Sequence, residues 1–329
     1  MRRIWKRRRG EQFRPHREQI NLWPGVSGNR INGLGEFSTR APTPLYWHPE
    51  GMSPFFPLQQ WMLAQGMKQP ELAARRAERA KVMGREPASI ATQRCEASAA
   101  ENVRAIKDKA RAVGADLFGI AAPRPDWVFE GYSFDYEWIV MLGVAMDYEK
   151  LSTAPDLPAA LAVTDGYTKC WQVSQPLADE IRSRGYRADA RGGPIAGQIN
   201  LIPAALACGF GELGKHGSII NRDLGSNFRL AAVFTDLPLL ADQPVDIGAE
   251  DFCLNCQVCV DACPVGAISN TKQMVRGIEK WYVDFDRCVP FFNETYGCGI
   301  CIAACPWSMP ARGPVISEKM LRRRGSRPG

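Results

Sequence analysis

The chain has 329 residues, 45% of them hydrophobic and 23% charged, enough for one large domain or two ordinary ones with a substantial core. Its 30 glycines and 24 prolines imply many turns without low complexity. The net charge of +6 sits on residues 1–10 and 317–329, leaving residues 11–316 acidic, so a basic, nucleic-acid-binding globular surface is excluded.

Both basic ends are expected to be mobile and solvated. Arg2 and Arg3 precede RRRGEQFRPHREQ rather than an apolar segment, so export is not expected and a cytoplasmic location is. Within residues 1–95, a Gly/Pro/aromatic stretch without a clear period reads as an arm wrapped over a domain. A charged, Ala-rich helix follows over residues 70–82. Apolar Val103, Ile106, Ala110 and Val113 recur at helical spacing and stop at Gly114. Residues 116–122 and 138–146 read as buried strands, 157–184 as a helix, 186–190 as a short strand, 198–208 as a helix and 229–235 as a strand. The longest uncharged stretch, 192–211, holds Gly193, Pro194, Gln198, Asn200 and Pro203, which a membrane-spanning helix would not carry so densely. The pattern predicts an α+β fold: an N-terminal arm and helix (1–95), a layered core (96–245), a small cysteine-built module (246–312) and a basic tail (313–329).

Eight of the eleven cysteines fall in that module, as Cys253-x2-Cys256-x2-Cys259-x3-Cys263-Pro264 and Cys288-x9-Cys298-x2-Cys301-x3-Cys305-Pro306. The C-x2-C-x2-C-x3-C-P run is that of bacterial ferredoxins, in which the fourth cysteine ligates the other cluster. Two [4Fe–4S] clusters are therefore expected, one on Cys253, Cys256, Cys259 and Cys305, the other on Cys288, Cys298, Cys301 and Cys263. A zinc site would more ordinarily show two separated pairs. Cys288 is displaced from the usual spacing, so the VPFFNETYG insertion must loop back. Cys170 and Cys208 read as buried core residues, and Cys95 has no assigned role.

Gly209-x-Gly211-x-x-Gly214, with Asp236 twenty-two residues on, imitates a dinucleotide-binding fingerprint. Its context is reversed, because a helix precedes the glycines and turn and strand follow them. A helix cap with a tight turn is the better reading.

The run GELGKHGSIINRDLGSNFRLAAVFTDLPL, followed by FCLNCQVCVDACPVGAI and YGCGICIAACPW, resembles the corrinoid-dependent reductive dehalogenases and the related epoxyqueuosine reductases. The upstream AIKDKARAVGADLFGIA and WIVMLGVAMDYEKLSTAP look similar too, so the resemblance covers about residues 99–310. It implies a nitroreductase-like α/β cobalamin-binding core with a C-terminal ferredoxin-like dicluster module. It also implies base-off cobalamin without a protein histidine as ligand; consistently, the sequence has no D-x-H-x-x-G run. Asp189-Ala-Arg-Gly-Gly-Pro194 breaks the D-T-x-P motif of the epoxyqueuosine branch. Only 24 residues follow Cys305, too few for that branch's helical repeats, so the dehalogenase branch is favoured.

The resemblance implies reductive dehalogenation of an organohalide, with a tyrosine as proton donor and a nearby Lys or Arg stabilising its phenolate. Tyr186 and Tyr167 are the candidate donors, and Lys215 and Arg229 the candidate cationic partners. Asn200, Gly211, Gly214 and His216 are candidates for cofactor contact, although Asn200 could equally be a buried amide bonded to backbone and His216 a turn or core histidine. The expected partners are a small organohalide and an external electron donor (ferredoxin, flavodoxin or reductase); nucleic acid is not expected. The alternatives are an epoxyqueuosine-reductase-like tRNA-modifying enzyme and a non-corrinoid 4Fe-4S electron-transfer protein.

Overall fold

The structure, a computed structural model, describes residues 13–194 and 197–325. The basic start at residues 1–10, and residues 326–329 of the basic tail, lie outside the described part.

The aromatic arm wraps the cysteine-built module and also touches the core, where Thr43 donates to Glu130 and His48 meets Phe129. Its helices are α1 (Arg17–Asn21), α2 (Gly28–Ile31) and α3 (Phe56–Met67). α3 escaped the sequence reading because its apolar residues run almost all round it and leave no period. Phe55 meets Phe285 of the module edge-on, ring centroids 4.9 Å apart. The Tyr46 hydroxyl donates to Asn293 Oδ1 at 2.7 Å, and Asn29 donates to Asp284 at 2.8 Å. α4 (Pro70–Met83) turns away to lie along the core's longest helix, where Gln175 donates to the Val82 carbonyl.

The core begins with α5 (Ala99–Ala112), opened by a capping box in which Ser98 and Glu101 satisfy each other's backbone N–H. There follow β1 (Leu117–Ala121), β2 (Trp138–Ala145), α6 (Tyr148–Leu151), the 27-residue α7 (Leu157–Ser183), β3 (Ala188–Arg191), α8 (Leu201–Ala207), β4 (Glu212–Leu213), β5 (Ile219–Ile220) and β6 (Phe228–Thr235). β1, β2, β6 and β3 make an antiparallel sheet in that order. Period-2 alternation gives the sheet two apolar faces. Val140, Leu142, Ala231 and Val233 pack under Ile106 of α5 and Cys170, Leu177 and Ile181 of α7. Ile139, Met141, Ala232 and Phe234 pack against Ala204 and Cys208 at the other face. Each large side chain so buried contributes about 1.5–3 kcal/mol.

The module contains α9 (Ala249–Asn255), α10 (Val258–Ala262), the ribbon β7 (Gln273–Val275) and β8 (Ile278–Lys280), α11 (Phe285–Glu294), α12 (Ile300–Ala304) and α13 (Arg312–Gly325). Proline ends both short cysteine helices. Cys263 and Cys305 precede Pro264 and Pro306 and are extended, with ψ of 117° and 129°, because a residue before proline is disfavoured in the helical region. The tail departs from the solvated end expected. α13 docks through buried Ser317 and half-buried Ile316, and Arg324 pairs with Asp246 and Asp251. Part of the +6 is thus neutralised locally rather than offered to a partner. Among the described residues, no helix is long and apolar enough to cross a membrane.

Candidate active site

One cavity, of about 320 Å³, opens between α7, the loop before α8 and the start of β6. That is the size of a small-molecule pocket. Phe129, Ile199, Leu201, Phe228 and Phe234 give it an apolar wall; Tyr167, Arg191, Asn200, Ser218 and Arg229 are its polar side chains, and no Asp, Glu or His of the described residues lines it. The guanidinium of Arg229 stands over the Tyr167 ring, 5.3 Å from its centroid. Gly166 lets the two approach: an added Cβ there would come within 3.1 Å of the Arg229 Cγ. Nε of Arg229 and of Arg191 are both buried without a hydrogen-bond partner, although Arg191 holds Asp189 at 2.5 Å.

The other candidates are distributed differently. Tyr186 is not at the cavity. It lies in the turn before β3, its ring packed on the α5–α7 face and under Arg94, and its hydroxyl donates to the Cys95 carbonyl at 3.4 Å. Asn200 does line the cavity, but its side-chain oxygen caps α8 by accepting from the Ile202 N–H at 3.1 Å. His216 is buried behind the cavity. Its Nδ1 accepts from the Ser218 N–H and its Nε2 faces the Ser226 hydroxyl, and burial pushes its pKa down to about 4. It is thus a neutral core histidine. Gly211 and Gly214 pack against the chain itself. A Cβ at Gly211 would meet the Ile220 carbonyl at 1.9 Å, and one at Gly214 would meet Ile220 and His216. The run after Gly214 is turn and strand, so no helix end stands there to hold a pyrophosphate.

Lys215 belongs to the cysteines rather than to a tyrosine. It is 1% exposed, and its ammonium donates to the Cys256 carbonyl at 2.9 Å. The neighbouring Glu212, which the sequence reading passed over, holds the same segment. Its carboxylate accepts from the N–H groups of Ile247, Ala249 and Glu250 at 2.8, 2.9 and 3.3 Å, capping the helix that carries Cys253. A glutamate ahead of a helix in space but 35 residues away in sequence leaves no local signature.

The thiols stand in two neighbourhoods. In the first, burial raises the pKa of Cys253, Cys259 and Cys305, and neighbouring thiolates, Cys256 among them, add to it. Cys263, Cys288, Cys298 and Cys301 form the second group. Burial is the largest cause throughout, pushing Cys259, Cys288 and Cys305 up to about 12. Buried, mutually repelling thiols of this kind are a donor set for a strongly cationic centre that deprotonates them. Among the described residues, no three His, Cys, Asp or Glu side chains converge as they would on a single metal ion. Cys170 and Cys208 are buried in the two core faces, and Cys95 is exposed.

Residues 252–309 match the family model of the 4Fe-4S dicluster domain. The chain is 32% identical over 210 residues to the tetrachloroethene reductive dehalogenase of Desulfitobacterium hafniense, covering 59% of this chain and 37% of that relative. It is 28% identical over 172 residues to the epoxyqueuosine reductase of Aliivibrio fischeri, covering 47% and 41%. A solved reductive dehalogenase, described as bearing on B12-dependent dehalogenation, superposes with a TM-score of 0.70 over 82% of this chain and 43% of its own, at 23% identity. The sequence is thus related to both groups, its fold is the α+β fold of the reductive dehalogenases with a C-terminal dicluster domain, and it spans little more than a third of the first of these relatives.

Proposed function

We propose that the chain is an iron–sulfur, cobalamin-dependent oxidoreductase that removes halogen from a small organohalide. The reaction consumes two electrons and one proton and yields the hydrocarbon and halide. The observation that carries this reading is the Tyr167–Arg229 pair at a substrate-sized cavity that is also lined by Gly217 and Ser218, two and three residues after Lys215 at the Cys256 carbonyl. A proton source and an electron route thus meet in one cavity.

The residues fit both cofactors. The two four-thiol groups suit two [4Fe–4S] clusters, which relay electrons from an external donor such as a ferredoxin, flavodoxin or reductase. The Gly193, Gly197 and Gly217 backbones at the cavity would let the face of a corrinoid approach closely. Such a corrinoid supplies the electron-rich metal that acts on the carbon–halogen bond. The chain's own residues do the rest. The apolar wall excludes water and takes the organic body of the substrate. The Tyr167 hydroxyl holds the proton destined for carbon, and the Arg229 guanidinium offsets the negative charge left on the tyrosine oxygen. Tyr186 and Lys215 take no part in the proton step.

Anaerobic purification after cobalamin supply tests the reading: about eight iron and one cobalt per chain are expected, together with halide release from a halophenol under a viologen reductant. Protein that never takes up a corrinoid would sink it. Turnover of an epoxyqueuosine-bearing tRNA stem-loop instead of the halophenol would transfer the chain to the tRNA-modifying branch. That branch's acid would then be Asp189, which is engaged by Arg191 and does not line the cavity.

A further inference from the structure

Lys215 is among the largest fully buried side chains of the molecule. Its ammonium donates to the Cys256 carbonyl and stands 5.0 Å from the centroid of the Trp281 ring. Lys272 approaches the same ring at 5.9 Å, but Lys272 is paired with Glu250. No carboxylate of the described residues forms an ion pair with Lys215. A carbonyl dipole and an indole face return less than the desolvation of a full charge costs. A buried cation in this position calls for an anion, and the protein supplies none.

The anion that the site can acquire is on the other side of the contact. Lys215 touches this cysteine run through its ammonium, held at the Cys256 carbonyl. Four thiolates around an oxidised [4Fe–4S] core sum to about −2, and one further electron makes the assembly more negative.

We propose that Lys215 is the built-in counter-ion of the cluster held by Cys253, Cys256, Cys259 and Cys305, raising that cluster's reduction potential relative to the other. The inference rests on the cluster reading above. It makes Lys215 a positioning residue for electron delivery. A fixed positive charge favours the reduced, more negative cluster over the oxidised one, so electrons arriving at the outer cluster fall toward the one nearer the cavity. Among the described residues, no cation is a cause for Cys288, Cys298 or Cys301 of the second group, whose thiols are pushed up first by burial and then by neighbouring thiolates.

The test is an EPR-monitored redox titration of the anaerobically purified full chain, after iron analysis. Wild-type protein without iron fails the cluster reading itself, before any variant is compared. With iron in place, Lys215→Gln keeps a hydrogen-bond donor but removes the charge. It is expected to disfavour reduction of one cluster by about tenfold, ~59 mV for a one-electron couple, with the other cluster unmoved. Lys215→Arg is expected to stay near wild type. Two unmoved clusters in an iron-replete Lys215→Gln protein, or equal shifts in both, overturn the proposal. If Lys215→Gln and Lys215→Met lose iron while Lys215→Arg retains it, the charge is needed to assemble the cluster, which supports the proposal. If Lys215→Arg loses iron as well, the side chain's shape and not its charge matters, and the proposal falls.

Discussion

Arg229 lies over the ring of Tyr167, its Cζ 5.3 Å from the centroid, although the two are 62 positions apart and sit on different elements. The contact joins the long helix to the sheet's interior strand at the rim of the cavity, and Gly166 leaves the space for it. Tyr167→Phe is expected to lower halide release by about 10²–10⁴-fold, the ordinary contribution of a positioned proton donor. Arg229→Gln is expected to lower it roughly 10²-fold. Iron and cobalt content should be unchanged in both. Tyr186→Phe, measured beside them, should behave as wild type.

Glu212 gathers three backbone N–H groups at the start of the helix bearing Cys253. Glu212→Ala leaves these donors without their carboxylate and is expected to cost about 1–3 kcal/mol. The readouts are a lower urea midpoint and faster loss of iron to a chelator. An unchanged midpoint would show that the carboxylate caps nothing of consequence.

The arm should matter to the second group of cysteines. Asn293 is fully buried, accepts from Tyr46 and donates to Gln19, which in turn donates to Glu294. Asn293 and Glu294 lie on α11, the helix that carries Cys288, whereas Tyr46 and Gln19 belong to the arm. Asn293→Ala leaves Tyr46 and Gln19 without their partner in a dry place, at a cost of about 1–3 kcal/mol. Only the iron bound by Cys263, Cys288, Cys298 and Cys301 should become labile, seen as half of the iron leaving early in a chelator time course.

Acid should destabilise the fold through two histidines. Burial pushes His48 and His216 down to about 4, below the ordinary value near 6.5. Their neutral forms are therefore favoured in the folded state, and the unfolded chain binds protons first. The stability they contribute is fully present above pH 6.5 and is lost as pH falls toward 4. The slope corresponds to about 2 kcal/mol per histidine between pH 6.5 and 5. His48 sits edge-on to Phe129 at 4.6 Å with its Nδ1 unpartnered, so His48→Phe should flatten the decline of Tm over that range. A variant that tracks wild type would show that His48 is already solvated.

The sequence by itself determined the cysteine module, because ligand spacing within a short run is local: an x2-x2-x3 rhythm ending in proline sets both the reach of the thiols and the turn that sends Cys263 and Cys305 outward. It also determined the core elements, whose periods of 2 and 3.6 are imposed by burial on one face. Tertiary structure decided which of two tyrosines reaches the cavity: each has an arginine over its ring, but only Tyr167, where α7 crosses β6, lines that space. It also decided that Arg229 and Lys215, equivalent as nearby basic residues, stand in different places, one at the cavity and one at the Cys256 carbonyl. The arm's destination on the cysteine module and the docking of the basic tail by Arg324 were likewise invisible locally. Each depends on partners that loops bring together from up to some 270 residues away, and no window of sequence contains both members of such a pair.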